Sequence, residues 1–268
     1  MQRGIGGESW IMEDRDFLGF IQNVKKMTGI DLALYKEAQM KRRLTSLRLK
    51  RGYHSFAQYF EAISKDKDLF YEFLDRMTIN VSEFFRNPGR WEVLENKILP
   101  RLAKQSAKLK CWSAACSTGE EPYTLSLILM KHRLDATVLA TDIDEGALAK
   151  AKQGVYADRA LQDCPKDLLD KYFSQDMHSY RISDVVKSKV TFKKHNLLAD
   201  AFDSGFDLII CRNVMIYFTE EAKTDLYHKF SRALKPGGVF FVGSTEQIFQ
   251  PQQFQLEAED TFFYRKKG

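Results

Sequence analysis

The chain has 268 residues, 44% of them hydrophobic and 29% charged, and it carries a formal net charge of +5. That suits one large or two modest domains with a packed core, and no stretch approaches the ~20 apolar residues that span a bilayer. Four cysteines (Cys111, Cys116, Cys164 and Cys211) show neither a Cys-x-x-Cys pair nor metal-ligand spacing with the five histidines. A reduced, metal-free, cytoplasmic protein without membrane insertion is therefore expected. Residues 1–12 lack the basic-then-apolar layout of a secretion signal and read as a loose tail.

Residues 13–76 carry helical spacing and few strand signals. Phe17, Phe20, Ile21 and Val24 mark one helix, stopped near Thr28-Gly29, and a second covers roughly Leu34–Arg51. Met40, Leu44 and Leu47 lie on one face of the second, at i, i+4 and i+7. Shorter helices follow around Ser55–Ile63 and Asp68–Asp75, giving a small all-helical domain. The second helix is lopsided: Lys36, Lys41, Arg42, Arg43, Arg48, Lys50 and Arg51 stand against one acid, Glu37. A solvated face would account for some of this. The imbalance points further, to a nucleic acid or a negatively charged protein surface. Scarce aromatic interleaving disfavours single-stranded nucleic acid.

Residues 77–90 read as a linker that contributes to a site. Phe84 and Phe85 can plug a core while Asn80, Ser82 and Arg86 close over a pocket. A helix, Trp91–Leu102, leads into residues 91–268, where strand and helix signals alternate. The stretch Leu109–Glu121 runs from apolar residues through small ones to a glycine and two carboxylates, with Pro122 behind them. Proline suits the first turn of a helix, so this is strand, tight turn and helix start. In an open α/β sheet a ligand binds at such a place. The next strand, Ala136–Thr141, ends in Asp142, 23 positions after Gly119, about where an acid reaches a ribose hydroxyl.

The turn offers one glycine, two acids and no phosphate-binding lysine. Glu120 and Glu121 would repel a pyrophosphate and welcome an ammonium or sulfonium, which points to S-adenosylmethionine. The plainer alternative is that both acids merely favour a helix N-terminus.

A helix covers Glu145–Gln153 and ends at Gly154. Val155–Val190 loses the α/β rhythm and reads as a small β-subdomain insertion, with short strands at Tyr172-Phe173 and Tyr180–Ile182. Val190–Leu197 is the next core strand, and Phe206–Cys211 is apolar enough for the buried middle of a parallel sheet. A helix, Glu220–Leu234, stops at Lys235-Pro236-Gly237-Gly238, a turn signal. Val239–Gly243 and Thr261–Arg265 supply the last two strands. Successive β–α units predict a doubly wound α/β sheet.

Met77–Arg86, Ser113–Tyr123, Ala140–Asp144, Asn196-Leu197 and Cys211–Phe218, in order and at matching spacing, resemble the CheR chemoreceptor glutamate methyltransferases. The similarity runs from Asp14 to Arg265. Tyr35–Ser46, Met77–Phe84 and Val242–Phe249 look like the version from Gram-positive bacilli. The resemblance implies a Rossmann-like methyltransferase sheet preceded by a helical domain. It also implies S-adenosyl-L-methionine-dependent O-methylation of glutamates on the cytoplasmic helices of chemotaxis receptors, with S-adenosyl-L-homocysteine as product.

Carried over by position, the cofactor contacts fall on Asn80, Ser82, Arg86, Glu121, Asp142, Asn196, Leu197, Arg212 and Asn213. Glu120 is a possible sharer of the role of Glu121. The catalytic pair falls on Arg86 and Tyr217, and Lys41, Arg42, Arg43 and Arg48 become candidate contacts to the acidic receptor. A base-methylating enzyme would place Asp/Asn-Pro-Pro-Tyr where Cys211-Arg212-Asn213-Val214 stands, so no nucleic-acid substrate is expected. A non-catalytic nucleoside sensor is disfavoured by intact Arg86, Asp142 and Tyr217. Some family members dock a receptor C-terminal peptide on the β-subdomain, and these carry a longer, glycine-containing connection. Ser174–Ser179 is short and lacks glycine, so no such tether is expected, and the protein is expected to act as a monomer.

Overall fold

The computed structural model describes residues 5–78 and 82–268, with side chains from residue 14 onward. Two compact units divide it. The first holds the N-terminal helices together with Tyr217–Ala222, and the second holds the remainder.

The helical unit comprises α1 (Ile5–Thr28), α2 (Glu37–Lys50), α3 (Phe56–Lys65) and α4 (Lys67–Thr78). α1 stops where Gly29 turns left-handed at φ +76, and the Thr28 hydroxyl donates to the carbonyl of Val24. Its apolar stripe packs aromatic on aromatic: Phe20 lies 5.2 Å from Phe56, 6.0 Å from Tyr59 and 5.8 Å from Phe73, ring centre to ring centre. The helix reaches back to Ile5, so residues 5–12 are not the loose tail expected. Once a helix is nucleated each added residue gains a backbone bond, which offsets the poor propensity of Gly6 and Gly7.

The second unit begins, after Ser82–Asn87, with a helical run made of α5 (Pro88–Val93), a π turn (Leu94–Ile98) and α6 (Leu99–Gln105). Next come β1 (Leu109–Ala114), α7 (Glu120–Lys131), β2 (Ala136–Asp142), α8 (Glu145–Gln153) and β3 (Val155–Ala157). α9 (Lys166–Tyr172), β4 (Phe173–Asp176), β5 (Ser179–Ile182) and α10 (Asp184–Lys187) follow, then β6 (Val190–Lys194) and β7 (Phe206–Cys211). α11 (Glu220–Ala233), β8 (Leu234–Val242), β9 (Leu256–Asp260) and β10 (Phe263–Lys266) complete the chain.

The main sheet has the order β6-β2-β1-β7-β8-β10-β9. Its first five strands are parallel; β10 runs antiparallel to both β8 and β9. The chain winds outward from β1 to β2 and β6, then returns to β7 on the other side of β1. The switch point therefore lies between β1 and β7, beneath the turn expected to bind the ligand. Leu208, Ile209 and Ile210 of β7 are fully buried, each side chain contributing roughly 1.5–3 kcal/mol by leaving water.

The insertion is a three-stranded antiparallel sheet, β3-β5-β4. Phe84 ties the linker to it, its ring 4.8 Å from Tyr156 and 5.3 Å from Phe173 in edge-on contacts.

Three features depart from the sequence reading. β9, Leu-Glu-Ala-Glu-Asp, is an edge strand without an apolar run, its Glu259 and Asp260 pairing with Arg101 and Lys97 of the helical run before β1. β3 and α9 were not anticipated within the insertion. The Lys235–Gly238 turn is real but sits inside β8 as a register break: the pairing steps from Phe206–Leu234 to Leu208–Val239. Gly238 is needed there, since a Cβ would come within 2.9 Å of the carbonyl oxygen of Phe206.

Candidate active site

The β1–α7 turn is built by left-handed backbone at Ala115 (φ +63), Ser117 (φ +48) and Gly119 (φ +96). At Gly119 a Cβ would lie 2.9 Å from that of Ala151 and 3.1 Å from the hydroxyl of Tyr156, so only glycine fits. Asp142, at the end of β2, holds the turn in place. Its Oδ2 accepts from the Ser117 amide at 2.8 Å and its Oδ1 from the Asp144 amide at 2.9 Å. A carboxylate offers about four lone-pair sites, so acceptor capacity remains for ribose hydroxyls. Burial raises its pKa to about 6, against the pull of these amide bonds.

The two acids of the turn part company. Glu121 is directed beneath it, its Oε1 accepting from the Ser113 hydroxyl at 2.8 Å and its Oε2 lying 3.7 Å from Arg212. Burial raises Glu121 to about 7, opposed first by the charge of Arg212. Glu120 accepts from the Thr118 hydroxyl at 2.7 and 2.9 Å, and the Ser82 side chain also bonds to it. A cavity of about 440 Å³ opens here, lined by Ser82, Thr118, Glu120, Lys150, Gln153 and Tyr156. Register favours Glu121 as the ligand contact; the geometry puts Glu120 in the cavity beside Ser82. A second cavity, of about 390 Å³ near Ala136 and Val138, lies at the amino end of β2 and meets none of these residues.

Asn196 and Leu197 follow β6, and the amide of His195 donates to the carbonyl of Asp142 at 2.9 Å, joining the ends of β6 and β2. Arg212 follows β7, but its guanidinium is turned inward, with the side chain 2% exposed. It donates to the Arg86 carbonyl at 2.8 Å and to Asn87 Oδ1 at 3.0 Å, and lies over the rings of Trp91 and Phe241. Arg212 thus braces the backbone of Arg86. Phe85, with its amide bonded to the Thr124 hydroxyl at 3.1 Å, is buried beside Arg86, so this part of the linker fills core. Asn80 lies outside the described residues.

Tyr217 is placed with the helical unit. Its carbonyl accepts from the Lys36 amide at 2.8 Å, and Arg43 sits 5.2 Å above its ring. Burial lowers the pKa of Arg43 there. The basic helix is therefore less of a free face than its composition suggests. Arg48 is 4% exposed, stacked 4.8 Å over Phe56, and cannot serve as the surface contact expected of it. It lies four residues after Leu44, on the apolar stripe, and that spacing was the signal to heed. Lys41 pairs with Asp14, and Arg51 with Glu72 at 2.7 Å. Arg42 and Lys50 are exposed.

Sequence reasoning missed Glu246. It follows β8, is 5% exposed and accepts hydrogen bonds from the Asn213 amide at 2.7 Å, Val214 at 2.9 Å and Met215 at 2.8 Å.

The strand ends thus present largely buried carboxylates, Asp142 at the end of β2 and Glu121 after β1. The neighbouring cavity holds Glu83 and Glu120 beside Lys150 and Arg159 and is lined by none of Asp142, Glu121, Asn196, Leu197, Arg212 or Asn213. The fold is that of an α/β methyltransferase sheet.

Residues 80–263 match the family model described as "CheR methyltransferase, SAM binding domain", and residues 15–78 match "CheR methyltransferase, all-alpha domain". A chemotaxis protein methyltransferase of Listeria monocytogenes is 44% identical over 258 residues, covering 94% of this chain and 98% of the relative. One from Borreliella burgdorferi is 35% identical over 236 residues, covering 82% and 83%. The chain belongs to the CheR methyltransferase family. Among the described residues, no helix is long and apolar enough to cross a membrane.

Asp142→Ala is expected to weaken S-adenosylhomocysteine binding by roughly 1.5–3 kcal/mol, the scale of a hydrogen bond to a charged group. Thermal stability falls too, because the buried Asp144 amide and the half-buried Ser117 amide lose their acceptor. In the unaltered protein, affinity falls as pH is lowered through about 6, where Asp142 becomes protonated and a poorer acceptor. Calorimetric titration across that range checks both; unchanged affinity in the variant would remove Asp142 from the ribose site.

Proposed function

We propose that this protein methylates glutamate side chains on the cytoplasmic helices of methyl-accepting chemotaxis receptors, acting in the cytoplasm as a monomer without a nucleic-acid substrate. Its membership of the CheR family is the observation that carries this reading. Buried carboxylates at the strand ends and the absence of any need for a base in the chemistry support it.

When bound, S-adenosylmethionine supplies an electrophilic methyl group on a sulfonium. A glutamate with pKa near ~4.3 is already ionised at neutral pH and serves as the nucleophile. One O–CH3 bond forms, one S–CH3 bond breaks, and no proton moves. The protein's task is to desolvate and aim the carboxylate, and such positioning can supply roughly 7–11 kcal/mol. Arg86 and Tyr217 have the hydrogen-bond donors to orient it. Asn80, Ser82, Glu121, Asp142, Asn196, Leu197, Arg212 and Asn213 are proposed to shape the cofactor site, Arg212 by bracing backbone and Glu120 sharing the acidic role. Each methylation removes one negative charge from the receptor, which gives the modification its signal.

The defining experiment is labelled methyl transfer onto receptor-containing membranes. The label is expected to be alkali-labile, as esters are and amines are not. In the same assay Tyr217→Phe should lower turnover about 10- to 100-fold while S-adenosylhomocysteine affinity changes little, as for an interaction made mainly in the transition state. Near-normal turnover with weakened affinity would instead place Tyr217 among the cofactor contacts.

The exposed part of α2 is proposed to meet the acidic receptor. Arg42→Glu is the clean probe, since Arg43 and Arg48 are engaged within the helical unit. It should depress methylation of intact receptor, leave S-adenosylhomocysteine binding unchanged and mimic raised salt, because exposed charges are screened over ~8–10 Å. Methylation that ignores both the reversal and the salt would leave α2 a solvated face.

No receptor-tail tether is proposed. β4 and β5 are joined by a two-residue turn, Met177-His178, with Met177 left-handed at φ +46. Such a hairpin leaves little connection to make room for an added strand. Deleting the receptor's C-terminal tail should leave the methylation rate nearly unchanged; a large drop, or micromolar binding of the isolated tail peptide, would restore the tether.

A further inference from the structure

Glu246 gathers main-chain amides from a segment some thirty residues earlier. Oε1 accepts from Val214 at 2.9 Å, Met215 at 2.8 Å and, more loosely, Ile216 at 3.4 Å. Oε2 accepts from Asn213 at 2.7 Å and from Gly243 at 2.9 Å. Four of these amides are consecutive in the chain, and Asn213 is left-handed at φ +60. Converging N–H groups of this kind form a concavity for an anion, and here the anion is a side chain of the same molecule. Space is cut to fit: a Cβ on Gly243 would lie 2.4 Å from Glu246 Oε2 and 2.9 Å from the Asn213 amide nitrogen.

The clamped segment has two functional ends. Asn213 opens it, immediately after β7, and the single 3-10 turn Met215–Tyr217 closes it. Without an acceptor, four adjacent amides would turn to water and the segment would sample other conformations.

We propose that Glu246 is a positioning residue for methyl transfer, fixing the Asn213–Ile216 backbone so that Asn213 faces the cofactor and the chain arrives at Tyr217 in one register. The proposal rests on the reaction and site assigned above. Glu246 touches no reacting atom; it acts through the main chain. A misplacement of about 1 Å in a catalytic group can cost ~100-fold in rate, so a loosened clamp is felt in turnover before it is felt in substrate affinity.

Glu246→Gln keeps size and one acceptor oxygen but sets an NH2 group against amide donors. Gly243→Ala retains the carboxylate and displaces it, and serves as the second variant should the first fail to fold. Three readouts apply to whichever folds. Hydrogen exchange at Asn213, Val214 and Met215 should quicken at least ~10-fold while β7 and β1 amides stay protected, the mark of local rather than global opening. Turnover on receptor membranes should fall roughly 10- to 100-fold with KM for receptor little changed, and S-adenosylhomocysteine should bind about 3- to 10-fold more weakly.

A variant of lowered melting temperature whose folded fraction keeps normal turnover, affinity and exchange at residues 213–215 overturns the proposal and leaves Glu246 a stability element. Failure of the functional reading looks different: the unaltered protein would then yield no alkali-labile product. Exchange and S-adenosylhomocysteine affinity would still decide whether Glu246 holds the loop.

Discussion

Burial of carboxylates at the carboxyl ends of the parallel strands is the constraint on which the site depends. Asp142, Glu120, Glu121 and Glu246 are all largely withdrawn from water, and burial raises the pKa of each. For an acid the sign is unfavourable to the free protein. The fold favours the protonated form, so stability is lost as pH rises from the ordinary carboxylate range through about 6 for Asp142 and about 7 for Glu121.

For Asp142 and Glu246 main-chain dipoles supply the counterweight, whereas Glu120 is met first by the Thr118 hydroxyl and Glu121 by the charge of Arg212. Asp142 is held by two amides and Glu246 by five, so these charges are met by groups that cannot wander as a lysine side chain can. The consequence is geometric. Each carboxylate fixes a stretch of backbone: Asp142 the β1–α7 turn, Glu246 the segment after β7. Loops that would otherwise be the softest part of an α/β protein are thereby tied by buried carboxylates.

Much of this arrangement could be read from residue order. Gly119-Glu120-Glu121-Pro122 marked a turn into a helix, Asp142 stood at the end of the second strand, and the apolar Phe206–Cys211 run sat where β7 lies in the sheet centre. Those signals are local, and periodicity or a single special residue carries them. What could not be read depends on distant pairing. The partnership of Glu246 with Asn213 joins positions with no sequence relation. β9 gave no strand signal, because its acids Glu257, Glu259 and Asp260 are answered by Arg265, Arg101 and Lys97 elsewhere in the chain. Arg48 looked like part of a basic face, although its place one helical turn after Leu44 consigned it to the interior. Composition counts charges; only spacing says which way they point.

Arg212 shows how the separate pieces become one site. Burying a guanidinium is costly, and its Nε has no acceptor among the described residues. It is retained in a pocket that answers the charge from several sides: the Trp91 and Phe241 rings, the Arg86 carbonyl, Asn87 and the Glu121 carboxylate. The contacts come from several elements. Asn87 and the Arg86 carbonyl belong to the linker, Glu121 to the start of α7, and Arg212 itself to the end of β7. Networks of this kind couple their members, so removing one leaves a buried charge in several places at once. The linker, the turn and the strand end are thereby set by one shared cation.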